Sequence, residues 1–503
     1  MHKRALVLST LVVASCGLGY ELISGALSSY LLGDSILQFS SVIGCYLFAM
    51  GIGSWLSRYI DDGDVLDRFV DIELLVGLLG GISAAVLFAV FAWVSEPFRA
   101  ALYAFVLVLG VLVGMEIPLV MRAFQQRHET FRDTISNVLT FDYLGSLAVS
   151  LIFPLVLAPR LGLLRTGFLF GILNALVALG TTWVFRAELS KLSQKVFRAA
   201  LVIGLLASGF VTSDQMTHWA EHGIFGDEIV HAETTPYQRI VITQWRDDMR
   251  LYLNGNLQFS SRDEHRYHEA LIHPTLDALP WARHVLVLGG GDGLAVREIL
   301  QHKTIEHVTL VDLDPAMTHL FSTSAPLVKL NQGSLKDPRV TVINDDAVRW
   351  MESNTQMFDA IIVDFPDPTN FGLGRLYSVP VFRLLARHLE AQGYVVIQST
   401  SPYFAPHAFW TIVSTLHEAG FNTWPYHCYV PSFGDWGFVI AGTRADFTLP
   451  THFSVPTGWL DPQTAADMFH FPADMPALSM PPNHLNEQPL VRYFDDDWKH
   501  VLR

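Results

Sequence analysis

"VLVLGGGDGLAVREIL", residues 285–300, reads as an apolar strand, a glycine turn and the opening of a helix. Stretches of this shape hold nucleotides, because glycines let the backbone approach the ligand closely and the helix N-terminus favours negative charge. Here Asp292 interrupts the glycines and places an anion where a pyrophosphate binder wants none. The ligand this turn suits is a nucleoside that carries a positive centre, such as a sulfonium or an ammonium.

Working outward, strands and helices alternate. "HVLVLGG", "LAVREILQ", "HVTLVDLD", "RVTVINDD", "FDAIIVDF" and "GYVVIQST" follow one another from residue 281 to 445. That order predicts a doubly wound, Rossmann-like parallel sheet of the methyltransferase type. Upstream, in 214–280, "YQRIVITQW" and "MRLYLNGNLQF" read as strands of a small antiparallel β subdomain. Downstream, 446–503 is rich in proline and loses periodicity, as an extended tail packed on the domain does.

Residues 1–213 are different in kind and read as a transmembrane helical domain. Apolar stretches near 5–32, 36–59, 69–94, 98–124, 137–158 and 165–185 each meet the roughly 20 residues a bilayer crossing needs. The first is too long for a secretory signal and further spans follow it at once. A seventh, "FRAALVIGLLASGFVTS" from Phe197, is shorter. Lys3, Arg4, Arg58, Arg68, Arg122, Arg127, Arg132, Arg186, Lys191, Lys195 and Arg198 gather around alternate loops, against Arg99, Arg160 and Arg165 on the others. The positive-inside rule puts the N-terminus in the cytoplasm. Six crossings leave the C-terminal part inside and seven leave it outside; the sequence reading takes six, with the short segment not crossing. Glu21, Glu116 and Asp142 are carboxylates within apolar spans, read either as a cation or proton path or as helix packing.

Of 503 residues, 50% are hydrophobic and 16% charged. The first 213 carry equal numbers of acidic and basic side chains, so the net charge of −15 falls on the rest. An acidic domain repels phosphates, which excludes nucleic acid as a partner. Cys16, Cys45 and Cys428 have neither metal nor disulfide spacing.

In a doubly wound sheet, ligands bind at the carboxyl ends of the strands. Acids stand at four of these ends: Asp292; Asp312 and Asp314; Asp345 and Asp346; Asp364 and Asp367. Any one of them could be a helix cap. As a set they fit a cationic nucleoside, with Asp312, about twenty residues beyond the turn, placed for ribose hydroxyls and Asp346 for the adenine amino group.

"LYLNGNLQFSSRDEHRYHEALIHP", then "VLVLGGGDG", "VDLD", "NDDA" and "DFPDP", resembles the polyamine aminopropyltransferases, the family of the spermidine synthases, over about residues 225–440. The apolar spans resemble the membrane-attached bacterial branch of that family. The resemblance implies transfer of an aminopropyl group from decarboxylated S-adenosylmethionine, as co-substrate, to a diamine such as putrescine, giving spermidine and methylthioadenosine. It also implies an enzyme at the cell membrane, with its catalytic domain in the cytoplasm, that forms homo-oligomers through the strand-rich portion. By motif position, Asp364 is catalytic, accepting the amine proton, and Asp367 anchors the amine. Gln238 contacts the nucleoside or its aminopropyl arm, Asp312 the ribose, and Asp346 with Ala347 the adenine. Asp292 faces the aminopropyl ammonium, while Gln258, Tyr267 and His268 line the polyamine channel. A further acid in "RDEHRYHE" is an alternative anchor for the distal ammonium. No metal or bound cofactor is implied, because the sulfonium is already a good leaving group.

Two positions depart from the family pattern. Asn254 stands where an aspartate is usual, and "DFPDPTNFGLG" replaces a loop resembling "DSSDPxGP". Two other functions remain open from the residues alone: an S-adenosylmethionine-dependent methyltransferase on the same fold, and a membrane polyamine transporter or sensor with a binding domain. His268 has a bland reading as a structural histidine, and Tyr267 as ordinary core.

Overall fold

The computed structural model describes residues 2–32, 36–93, 98–126 and 131–501; Arg127 lies outside them. The chain divides into two compact units, Met1–Ile229 and Val230–Arg503.

The first unit is helical: α1 (His2–Leu32), α2 (Ile36–Leu56), α3 (Val65–Trp93), α4 (Phe98–Gln125), α5 (Phe131–Ile152), α6 (Ala158–Val184), α7 (Leu192–Val211) and α8 (Ser213–Phe225). Six continuous helical stretches among the described residues are long and apolar enough to cross a membrane. One of them, 132–184, joins α5 to α6 and is broken at Gly162, whose φ of 74° leaves the helical region. The break turns the chain back on itself. Ser15 bonds the carbonyl of Gly145 and neighbouring Cys16 that of Phe170. Those two acceptors would stand roughly 37 Å apart on a straight helix. The segment from Phe197, set aside as too short on sequence, is the middle of α7, a 20-residue helix that meets the length and composition for a crossing. Buried Lys195 of α7 pairs with Asp67 and Asp71 of α3, so both helices start on one side of the bundle.

The second unit opens with a four-stranded antiparallel sheet, β1 (Glu228–Thr234), β2 (Arg239–Trp245), β3 (Asp248–Leu253) and β4 (Asn256–Ser260), in the order β1-β2-β3-β4. Asn254 and Gly255 make the β3–β4 turn with φ of 50° and 82°, the geometry that favours Asn-Gly in tight hairpins. The Asn254 side chain also accepts from the backbone N–H of Arg239. Asparagine and aspartate both fit this turn, and nothing in the structure explains the choice of asparagine.

Helix α9 (Glu264–Asp277) leads into the second sheet. Its elements are β5 (His284–Gly289), α10 (Leu294–Gln301), β6 (His307–Asp312), α11 (Pro315–Thr323), α12 (Ala325–Leu330), β7 (Val340–Asn344), α13 (Ala347–Ser353), β8 (Phe358–Asp364), α14 (Phe371–Gly374), α15 (Val379–His388), β9 (Leu389–Gln398), α16 (Pro406–Glu418), β10 (Asn422–Val430) and β11 (Gly434–Gly442). The strand order is β10-β11-β9-β8-β5-β6-β7. Strands β5 to β9 are parallel, and β10–β11 extends the sheet as an antiparallel hairpin, so the sheet is mixed at one edge. In β5, Val285, Leu286, Val287 and Leu288 are all fully buried. Val285 and Val287 enter one core, with Leu271, Val296 and Phe321; Leu286 and Leu288 enter the other, with Phe358, Phe382 and Phe409. A strand covered on both faces has no polar alternation, which is why this run is uninterrupted oil.

The proline-rich tail carries two helices, α17 (Pro462–Met468) and α18 (Pro489–Val501). Glu269 of α9 accepts the backbone N–H groups of Gly458, Trp459 and Leu460, and Asp497 of α18 accepts from His407 and Ala408 at the start of α16.

Candidate active site

The chain leaves β5 for β6 on one side and reaches β8 on the other, so the crevice lies over the adjacent ends of β5 and β8. Gly289 pairs with Asp364 across these strands. It has φ of 81°, and a Cβ there would lie 2.2 Å from the Asp364 carbonyl oxygen. A Cβ on Gly291 would lie 2.6 Å from the carboxyl carbon of Asp312. Side chains are excluded at both positions so that the turn can sit against the two acids.

Tyr267, on α9, donates a 2.6 Å hydrogen bond to Asp364 Oδ1. Burial pushes Asp364 above the usual carboxylate range, against the lowering effects of His268 and of that hydroxyl. Asp367, three residues on, is raised by burial to about 7 even though Gln398 donates to it. Tyr377 is fixed by the carbonyls of Phe365 and Pro366, and Gln398 bonds its hydroxyl, so the loop between the two acids is held from below.

Asp292 shows both readings at once. One oxygen accepts the N–H of Leu294 at 2.9 Å and caps the start of α10. Burial nevertheless raises the acid to about 6, with His268 lowering it and Asp364 raising it. Asp312 accepts the N–H groups of Gly291 and Asp314 at 3.0 and 2.9 Å, and burial raises it to about 6. Raised acids of this kind are anions short of counter-charge.

Behind them lies a buried ionic chain. Glu264 is gripped by Arg297 through two bonds of 2.8 and 2.9 Å, and it accepts from His268 Nδ1 at 2.8 Å. Both partners of that nitrogen, the Glu264 carboxylate and carbonyl, are acceptors, so Nδ1 carries the proton. Burial would push Glu264 up, but His268 and Arg297 outweigh it and hold it at about 2. His268 is pulled down by burial and raised more by Glu264. Arg297 continues to Glu298, and Glu298 to His273.

Asp292, Asp312, Asp364, Asp367, Tyr267 and His268 are therefore brought together. Gln238 joins through Asp314, which accepts from its amide at 3.0 Å and from Thr235 at 2.8 Å. Asp346 stands apart. Its Oδ1 caps α13 through Val348 and Arg349, and its Oδ2 is paired with Arg375. Ala347 is the first residue of that helix and is buried. Gln258 bonds only the carbonyl of Asn256 among the interactions described for it, within its own hairpin. The acids of "RDEHRYHE" are all occupied structurally: Asp263 by Ser432, Glu264 by Arg297 and His268, and Glu269 by the tail. None is left to anchor an ammonium. Sequence reasoning missed Arg297 and Arg375. The i,i+4 spacing of Glu264 and His268 is a signal that could have been used; the other pairs have no local spacing.

Residues 264–450 match the family model described as the spermine/spermidine synthase domain. Polyamine aminopropyltransferase 2 of Ralstonia nicotianae is 63% identical over 504 residues, covering 99% of each chain. The polyamine aminopropyltransferase of Leptospira interrogans is 49% identical over 500 residues, covering 99% of this chain and 100% of its own. A crystal structure of spermidine synthase in complex with the transition state analogue AdoDATO is 22% identical, with a TM-score of 0.46, covering 49% of this chain and 86% of that one.

Proposed function

Since the chain belongs to the polyamine aminopropyltransferase family, we propose that it carries the aminopropyl group of decarboxylated S-adenosylmethionine to putrescine, from a site attached to the cell membrane. One observation supports the acceptor most: Asp364 and Asp367, three residues apart on a single loop, are both buried and both raised. Two such anions suit the two ends of a short diamine. Asp364 takes the proton of the attacking ammonium. The freed nitrogen forms a bond to the methylene beside sulfur, the carbon–sulfur bond breaks, and its electron pair stays on sulfur as neutral methylthioadenosine. The product nitrogen stays protonated as a secondary ammonium, and the one proton released by the reaction passes from Asp364 to solvent. Tyr267 fixes the Asp364 oxygen, His268 tempers the local negative charge, and Asp292 and Asp312 face the donor. Ordinary S-adenosylmethionine brings a carboxylate toward these acids and is disfavoured.

Membrane attachment is supported by side chains that face outward. Phe48, Leu147, Leu151, Leu155, Phe197, Leu201 and Val211 are exposed on α2, the α5–α6 stretch and α7, far more apolar surface than a water-soluble bundle shows. Trp93 stacks on Trp219, and Arg58 covers Trp55 and Tyr59, in the manner of aromatic belts at an interface. A cytosolic donor requires the second unit on the cytoplasmic side.

Purified full-length protein with putrescine and either form of the donor tests the chemistry. Spermidine from the decarboxylated donor alone supports the reading, and a methylated amine from S-adenosylmethionine overturns it. Reporter fusions after Ser213 and at the C-terminus test the side; an extracytoplasmic C-terminal signal overturns the cytoplasmic placement.

A further inference from the structure

The helical unit contains a cavity of about 180 Å³ between α1, α2, α4 and α5. Three carboxylates from three helices line it: Glu21, Glu116 and Asp142. Glu116 is 2% exposed, and its Oε1 has no hydrogen-bond partner among the described residues. Nor does either oxygen of Glu73 on α3. Arg122 of α4 bonds the carbonyls of Ser57 and Ile60 just beyond α2, which sets those helix ends and the start of α3 on one side. Counted from that side, Glu73, Glu116 and Asp142 lie roughly 12–17 Å deep along their helices. Buried carboxylates at such depth are costly, and an orphaned one points to a ligand that satisfies it.

We propose that this cavity binds a short linear alkyldiamine in its doubly protonated form. The wall between the carboxylates is apolar, with Met50, Val113 and Ile117. A divalent metal ion wants oxygen ligands on every side, whereas a diamine presents two ammoniums joined by methylenes, which is the pattern of this lining. The cavity has room for several water-sized groups in a row, enough for a short alkyl chain between the carboxylates. The amine identity rests on the acceptor proposed for the second unit, but the site itself stands on the bundle alone.

The test is the binding stoichiometry of radiolabelled putrescine on full-length protein in lipid nanodiscs, with no donor present. Wild type is expected to bind two per chain, and Glu116→Gln with Asp142→Asn one, while aminopropyl transfer stays within about twofold. Glu21→Gln alone, a milder change, is expected to weaken the bundle site about tenfold. One putrescine per wild-type chain with transfer intact overturns the site and leaves the enzymatic reading standing. Two per chain in every variant, or displacement from the bundle by millimolar magnesium, also overturns it. A chain that binds in the bundle but transfers nothing sinks the enzymatic reading and supports the site.

Discussion

The Tyr267 hydroxyl lies 2.6 Å from Asp364 Oδ1, joining α9 to the end of β8. A carboxylate that must collect a proton works best with one oxygen held and the other free, because holding one fixes where the other points. Tyr267→Phe removes the holding bond and keeps the ring among His268, Phe433 and Phe438. The expected result is a fall in kcat of about 10- to 100-fold with little change in donor KM. Asp364→Asn should cost about 10²- to 10⁴-fold in kcat. Steady-state kinetics on both variants, with folding checked by thermal unfolding, reads the difference; an unchanged kcat in Asp364→Asn removes that residue from the chemistry.

The raised acids set a pH signature. Asp292 and Asp312 are held near 6 and Asp367 near 7, all above their unfolded values. Their protonated forms favour the fold at low pH, and that contribution is lost as pH rises through 6 to 7. A bound dication reverses the balance by favouring the anions. Putrescine binding should therefore release protons near pH 6.5, and the release should fade toward pH 8.5. Calorimetry in two buffers of different ionisation enthalpy measures it; proton uptake on binding would contradict the assignment.

Much of this was legible in the sequence, and the limits have physical causes. Strands β5 to β9 announce themselves because burial on both faces demands unbroken apolar runs. Strand β1 is half exposed and polar, and edge strand β10 contains Pro425, so neither has that pattern. The acids at the strand ends could be read as a set. Which of them also serve as helix caps, as Asp292 and Asp346 do, depends on backbone N–H groups whose direction no spacing reveals. Glu264 and Arg297 lie 33 residues apart and meet only because α9 packs on α10.

That ion pair carries a stability prediction. Arg297 is buried, and its guanidinium is satisfied by Glu264, Glu298 and the carbonyl of Leu330. Glu264→Gln leaves it short of one charge and releases His268 as well. Breaking one side of a buried pair costs about 3–5 kcal/mol. The variant should unfold at clearly lower temperature, and Glu264→Gln combined with Arg297→Met should recover part of the loss. Thermal unfolding of the second unit, followed by intrinsic fluorescence, checks both; equal stability of wild type and Glu264→Gln would mean the chain is not a stabilising unit.

Asp346 poses the sharpest question about the nucleoside end of the site. Two of its contacts are caps of α13 and a third is the Arg375 ion pair. A carboxylate has about four lone-pair positions, so one remains for an adenine amino group. If that is its task, Arg375 competes for the same carboxylate. Arg375→Ala should then lower the donor KM by about three- to tenfold at unchanged kcat, while Asp346→Asn raises it. A donor KM indifferent to Arg375→Ala would assign Asp346 to capping α13 alone, and adenine recognition would have to come from elsewhere in the crevice.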